Sequence, residues 1–278
     1  MTTPKSEQEI RDLVSKAYAD ALESASEGSG CGSCCGPTPK GSAAKLAGYE
    51  DELAQHGEAA TTSFGCGNPL AMAGVASGQT VLDLGSGAGF DLLIAADKVG
   101  PSGRVIGVDM TDEMLAAAEA NARKAGYTNI ELRKGIIEEL PVRSDSVDWV
   151  ISNCVINLSP RKELVFSEIA RVLEPGGAFS ISDIVVDDLP AWVRENRAAY
   201  AACVAGAISE GEYLDGLEAA GLIDVAVAER MIYDAEQLRA IVGSDLAAFG
   251  FDLATMPDRF NALAGKVWSA RFTGRKPA

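Results

Sequence analysis

Residues 81–90 run Val81-Leu82-Asp83-Leu84-Gly85-Ser86-Gly87-Ala88-Gly89-Phe90. An apolar run interrupted by one acid gives way to alternating glycines and then to apolar residues again, the pattern of a strand, a tight loop and a helix. Glycine suits such a loop because a Cβ would block both the turn and the approach of a ligand to the backbone. The spacing is Gly-x-Gly-x-Gly with Phe90 three residues after Gly87, so the Gly-x-Gly-x-x-Gly fingerprint of dinucleotide sites is not met. Asp83, just ahead of the loop, would repel a pyrophosphate and suits a ligand bearing ammonium and sulfonium cations.

Outward from this loop, short β-branched apolar runs alternate with helical segments. The runs fall at 81–84, 105–108, 130–132, 147–152 and 178–184, and the clearest helices at 112–125 and 162–172. Such alternation predicts an α/β fold, a doubly wound, mostly parallel sheet with helices on both faces and right-handed crossovers. Pro175, Gly176 and Gly177 are expected to end a helix ahead of the fifth strand, and Ser209 with Glu212 resembles a capping box opening a helix over 211–220. A sixth strand is expected at 224–228, a largely helical stretch at 233–258 and a last strand near 267–272. Three regions follow: residues 1–70, an amino-terminal helix with cysteine-bearing loops; 71–188, the ligand-binding core; and 189–278, a capping region plus the last core strands. Residues 7–25 place Ile10, Val14, Ala17, Tyr18 and Ala21 at helical spacing and predict an exposed amphipathic helix.

With 278 residues and 47% hydrophobic content, the chain can bury a large core. Its 40 acidic and 24 basic side chains give a net charge of −16, which repels nucleic acid and anionic membrane surfaces and argues against both as partners. Residues 1–28 carry mixed charges without the apolar segment of a secretory signal, and no later stretch approaches the length of a membrane span. A cytoplasmic location is expected. His56 is the single histidine, which disfavours histidine-centred catalysis. The six cysteines stand at Cys31, Cys34, Cys35, Cys66, Cys154 and Cys203, and in a reducing compartment they serve packing, metal binding or redox chemistry more often than fixed disulfides.

Asp109 closes the second strand, where a carboxylate can accept both hydrogen bonds of a ribose diol. Asp83, Gly85, Ser86, Gly87, Asp109 and Met110, at the ends of adjacent strands, together resemble the Rossmann-like class I S-adenosylmethionine methyltransferase pattern. In that superfamily Ile137 and Glu138 match positions flanking the adenine. Open α/β sheets bind ligands where the strand order reverses, between strands one and four in this order, and strand four delivers Asn153 and Cys154 there. Taken alone, Cys154 reads as a small buried hydrophobe, and so does Cys203. Cys66 lies in Phe64-Gly65-Cys66-Gly67-Asn68-Pro69, a turn sequence that does not suit a core position. Three thiols brought together would favour a soft, thiophilic ligand.

The segments Gly65-Cys66-Gly67-Asn68-Pro69, Leu82 through Asp91, and Asn153-Cys154-Val155-Ile156-Asn157-Leu158-Ser159-Pro160 resemble the arsenite methyltransferase family. The resemblance implies S-adenosylmethionine as methyl donor, As(III) and methylated arsenicals as acceptors bound by Cys154 and Cys203, and Cys66 as a third sulfur. It also implies that Cys34 or Cys35 joins a redox cycle reset by an external thiol, thioredoxin or glutathione. Two alternatives stand beside it. A methyltransferase of a quinone- or sterol-like acceptor would use the same cofactor residues, and Cys31, Cys34, Cys35 and Cys66 could form a zinc site.

Overall fold

The computed structural model describes residues 6–26, 74–233, 263 and 265–278. Within them, seven strands form one sheet: β1 (Thr80–Leu84), β2 (Arg104–Asp109), β3 (Ile130–Lys134), β4 (Val147–Asn153), β5 (Leu173–Val186), β6 (Ile223–Ile232) and β7 (Val267–Arg275). Their order is β3-β2-β1-β4-β5-β7-β6. The neighbours among β1 to β5 pair in parallel, whereas β7 runs antiparallel to both β5 and β6.

Successive side chains of a strand point to opposite faces, and the central strands are buried on both. On one face Val81, Val105 and Ile151 meet Phe90, Leu93 and Val99 of α2 (Phe90–Val99) and Ala118 of α3 (Asp112–Ala125). On the other, Leu82, Leu84, Ile106 and Val150 join Phe166 and Ile169 of α4 (Lys162–Val172) and Tyr213 of α7 (Glu210–Ala219). This is the doubly wound arrangement that the β/α alternation predicts. Tyr213 seals its end of that core between Phe272, stacked with centroids 4.5 Å apart, and Phe166, edge-on at 5.5 Å.

The structure departs from the sequence expectation in three places. Pro175-Gly176-Gly177 lies inside β5: Val147 pairs with Leu173 and Trp149 with Ala178, so the residues between loop out as a bulge, with Gly176 at φ +83°. A proline without an N–H and a glycine in the left-handed region suit a bulge as well as a helix stop. The stretch 190–208, which reads from sequence as one helix-like run, is two short helices, α5 (Ala191–Arg194) and α6 (Arg197–Ala201), followed by turns. The expected strand at 224–228 falls in the first half of the longer β6. The capping box of Ser209 and Glu212 is present at the start of α7. Of the expected helical stretch 233–258, residues 234–258 lie outside the described residues.

The amino-terminal helix α1 (Glu7–Ser26) opens on a second capping pair: the Glu9 amide donates to the Ser6 hydroxyl at 3.2 Å and the Ser6 amide to the Glu9 carboxylate at 3.1 Å. It is not merely a solvated helix. Val14 is fully buried against the cluster that holds Cys154 and Cys203, and α1 packs on α3 and α6. No helix among the described residues is long and apolar enough to cross a membrane.

Candidate active site

A cavity of about 120 Å³ opens where the strand order reverses, at the carboxyl ends of β1, β2 and β4 and beneath α1. Asp83, Gly85, Ser86 and Gly87 line it from the first strand and its loop, Asp109 and Met110 from β2, Ile137 and Glu138 from the turn after β3, and Asn153 with Cys154 from β4. The chain thus brings together the whole set of expected cofactor residues and one expected arsenic ligand. The glycine loop has the backbone such a wall requires. Gly85 is at φ +64°, where a Cβ would overlap the Val155 side chain, and Gly87 is at φ +51° with open space where its Cβ would stand.

The cavity is acidic and desolvated. Asp83 is buried, and its carboxyl is pushed well above the usual range by loss of solvent, then by the neighbouring charges of Asp91 and Asp109. Asp109 is raised too, by burial, against the amides that stabilise its charge: Gly87 N–H donates to one oxygen and Thr111 N–H to the other, both at 2.9 Å. Each oxygen keeps lone-pair capacity for a further donor. Asp91 accepts from the Asn153 amide at 3.1 Å, and the Ser86 hydroxyl is buried without a protein partner. A ligand with a cationic end and hydroxyl groups fits this lining, and S-adenosylmethionine has both.

Cys154 follows β4 directly, is 6% exposed, and adopts φ +57° with its amide donating to Ser182 O at 2.9 Å. Cys203, after α6, is also buried and at φ +61°, and its thiol donates to the Cys154 carbonyl at 2.7 Å. Left-handed backbone in a residue with a side chain costs on the order of 1–3 kcal/mol and persists only where the surroundings enforce it. Cys154 is disulfide-bonded, and Cys203 is in no disulfide. Cys31, Cys34, Cys35 and Cys66 lie outside the described residues, as does His56, so the zinc alternative falls there as well. Among the described residues no cluster of His, Cys, Asp and Glu is arranged to hold a metal ion.

Residues 76–221 match the family model described as a methyltransferase domain. An arsenite methyltransferase of Halobacterium salinarum is 42% identical over 240 residues, covering 83% of this chain and 61% of the relative, and the Homo sapiens arsenite methyltransferase is 33% identical over 212 residues, covering 72% and 54%. The crystal structure of an arsenic(III) S-adenosylmethionine methyltransferase from Chlamydomonas reinhardtii superposes with a TM-score of 0.59 at 35% identity, covering 87% of this chain and 75% of that one. The chain belongs to the arsenite methyltransferase family. It spans 61% of the length of the Halobacterium relative and 54% of the human one.

In this arsenite methyltransferase family member, several residues that sequence reasoning passed over support the site. Arg11, Val14 and Tyr18 of α1 roof the cavity, with Arg11 3.4 Å from Glu138 and the Thr111 hydroxyl 3.2 Å from that of Ser15. Behind Cys154, the carbonyls of the turn through Ser159 each have a donor: Lys162 Nζ for Asn157 and Ser159, the Tyr200 hydroxyl for Leu158, and the amides of Leu158 and Ser159 for Val155 and Ile156. The Asn157 side chain is anchored on the fully buried Asp183, which also accepts from Tyr213 at 2.7 Å. Such accounting is expected of buried backbone, and here it holds Cys154 in its strained conformation. The available signals were weak ones. Asp183 is a charge inside an apolar strand, and Arg11, Val14 and Tyr18 share one helix face.

Proposed function

We propose that the chain transfers a methyl group from S-adenosylmethionine to As(III) held by the thiolates of Cys154 and Cys203, with Cys66 as a third sulfur. One observation carries this reading: at the reversal of strand order, a cysteine stands in the wall of an acidic cavity with a second cysteine against its carbonyl. Thiolate sulfur is polarisable and prefers soft ions, so a thiophilic acceptor gives this pair a reason that packing alone does not.

Asp83, Asp91 and Asp109 would set the negative field in which the cofactor's cationic end is bound, Asp109 would take the ribose hydroxyls, and Ile137 and Glu138 would flank the base. Bound S-adenosylmethionine supplies an electrophilic methyl on a sulfonium. The arsenic lone pair forms the As–C bond as the methyl–sulfur bond breaks, and the bonding pair stays on sulfur as a neutral thioether. No proton moves in this step, which agrees with a chain that offers one histidine. The protein's tasks are to hold the reacting atoms at about 3–3.5 Å and to keep water away. Arsenic is then formally pentavalent. Two thiolates closing to a disulfide release two electrons that return it to As(III), a step we assign to Cys34 or Cys35 with a second cysteine of the site, and a thioredoxin-like protein or glutathione in a reducing compartment reopens the disulfide.

Reduced protein incubated with arsenite, S-adenosylmethionine and a dithiol should give methylated arsenic by chromatography with elemental detection. Cys154→Ser and Cys203→Ser should each abolish product while calorimetric binding of S-adenosylmethionine stays within about twofold of the parent. No methylated arsenic from the parent would overturn the acceptor and leave the cofactor assignment standing.

A further inference from the structure

Arg11 is the one basic side chain among the described residues that line the cavity, set there with Asp83, Asp91, Asp109 and Glu138. It stands on the inner face of α1, one turn before the buried Val14 and before Ser15, whose hydroxyl meets that of Thr111 at 3.2 Å. We infer that Arg11 is a cofactor-binding residue, which with Glu138 reads the edge of adenine that carries the 6-amino group. This inference rests on the reading that sets Ile137 and Glu138 beside the base.

The two side chains offer what that edge requires. Adenine presents a donor, the amino group, flanked by ring nitrogens that accept. Glu138 has 5% of its side chain exposed and accepts on one oxygen, Oε1, from the Ser159 hydroxyl at 2.8 Å and from Arg11 Nη2 at 3.4 Å. Its other oxygen can take the amino group. Arg11 supplies the donor for the ring. Its Nη2 is shared between Glu138 and Glu7, at 3.4 Å from each, while its Nε–H is buried without a hydrogen-bond acceptor among the described residues. Contacts of that length hold a guanidinium loosely, and a buried donor left without an acceptor costs free energy that a ligand can return. The carboxylate at the cofactor's amino acid end is the competing acceptor. Glu138 follows β3, however, two strands across the sheet from Asp83 on β1, so an arginine bonded to Glu138 stands at the base end of the cavity.

Binding can be measured without turnover. S-adenosylhomocysteine keeps the base, the ribose and the amino acid end and has no methyl to transfer. It is titrated calorimetrically into the full chain and into Arg11→Met, alongside its 1-deaza and 7-deaza analogues, in which one or the other ring nitrogen beside the amino group is replaced by C–H. Methionine keeps an aliphatic stem and removes every donor. Arg11→Met should weaken S-adenosylhomocysteine about tenfold, and that cost should shrink to within about twofold with one of the two analogues, the one that lacks the nitrogen Arg11 contacts. A cost that persists in full with both analogues overturns the inference, because Arg11 would then act on the ribose or the carboxylate, or by docking α1. So does an affinity for S-adenosylhomocysteine that the substitution leaves unchanged, an outcome in which the cofactor's place in the cavity still stands. A parent chain that binds no S-adenosylhomocysteine overturns both.

Discussion

Asp83 is a residue set against the fold at the place where the cofactor's cationic end is proposed to bind. It is fully desolvated on β1, with Asp91 and Asp109 close enough to raise its proton affinity further. Each effect disfavours the ionised form in the free protein, and a cation placed in the cavity would reverse both. Asp83→Asn should therefore weaken S-adenosylmethionine binding by at least about tenfold, roughly 1.4 kcal/mol, while raising the denaturation midpoint of the ligand-free protein. Calorimetric titration and a urea melt of the same preparation check the two signs. A variant that lost stability along with affinity would show Asp83 to be structural. Such a residue is legible in sequence because an acid just before a glycine loop has few other reasons to be there. Asp91, one residue into the helix, carries the same field and looks like an ordinary first-turn acid. Arg11 and Tyr18 were illegible for another cause: their partners, Glu138 and Cys203, lie far away in sequence, and only packing reveals which face of an amphipathic helix is turned inward.

At the scale of elements, the proposed acceptor side is a contact between the turn that follows β4 and the turn that follows α6. Gly206 makes their approach possible, since a Cβ there would overlap the Asn157 carbonyl oxygen and press on the Tyr200 ring. Gly206→Ala should force the two turns apart, lower stability by about 1–3 kcal/mol and reduce arsenite binding at least about tenfold, leaving cofactor affinity nearly intact because the glycine loop and β2 are untouched. Chemical denaturation and separate titrations with arsenite and S-adenosylmethionine distinguish this from global damage, which would lower both affinities together. The β-strands and long helices were legible because burial on two faces writes continuous apolar runs and helical periods into the chain. The stretch 190–208 was not. Its helices are too short to establish a period, and its conformation is set by Cys203, Tyr200 and Gly206 meeting a turn some fifty residues earlier.

The whole molecule carries these local choices as a dependence of stability on pH. Asp183, which anchors the turn after β4, is pushed by burial from an ordinary 3.8 to about 6, against hydrogen bonds from Tyr213, Ile184 and Asn157 that lower it. Asp83 and Asp109 are displaced in the same direction. An acid that holds its proton more tightly in the folded state stabilises fully below its unfolded value. That contribution is lost as pH rises through the folded value, so the Asp183 window runs from about 3.8 to about 6 and amounts to about 3 kcal/mol. On the order of 1.5 kcal/mol of it falls between pH 5 and pH 7.5. Glu131, held down by Arg133 and Arg104, and Glu163, held down by Arg161, pull the other way, but they sit in solvent where such pairs contribute little. Self-repulsion within a chain of net charge −16 adds to the loss at higher pH. The ligand-free protein should therefore unfold at a higher urea concentration at about pH 5 than at about pH 7.5. Asp183→Asn should shrink that difference by about the 1.5 kcal/mol assigned to the group. Cofactor binding should run in the opposite sense, tightening as rising pH ionises Asp83 and Asp109 to meet the cation. Melts and titrations at the two pH values measure both slopes, and a parent protein equally stable at each would mean that these buried acids keep their ordinary proton affinity.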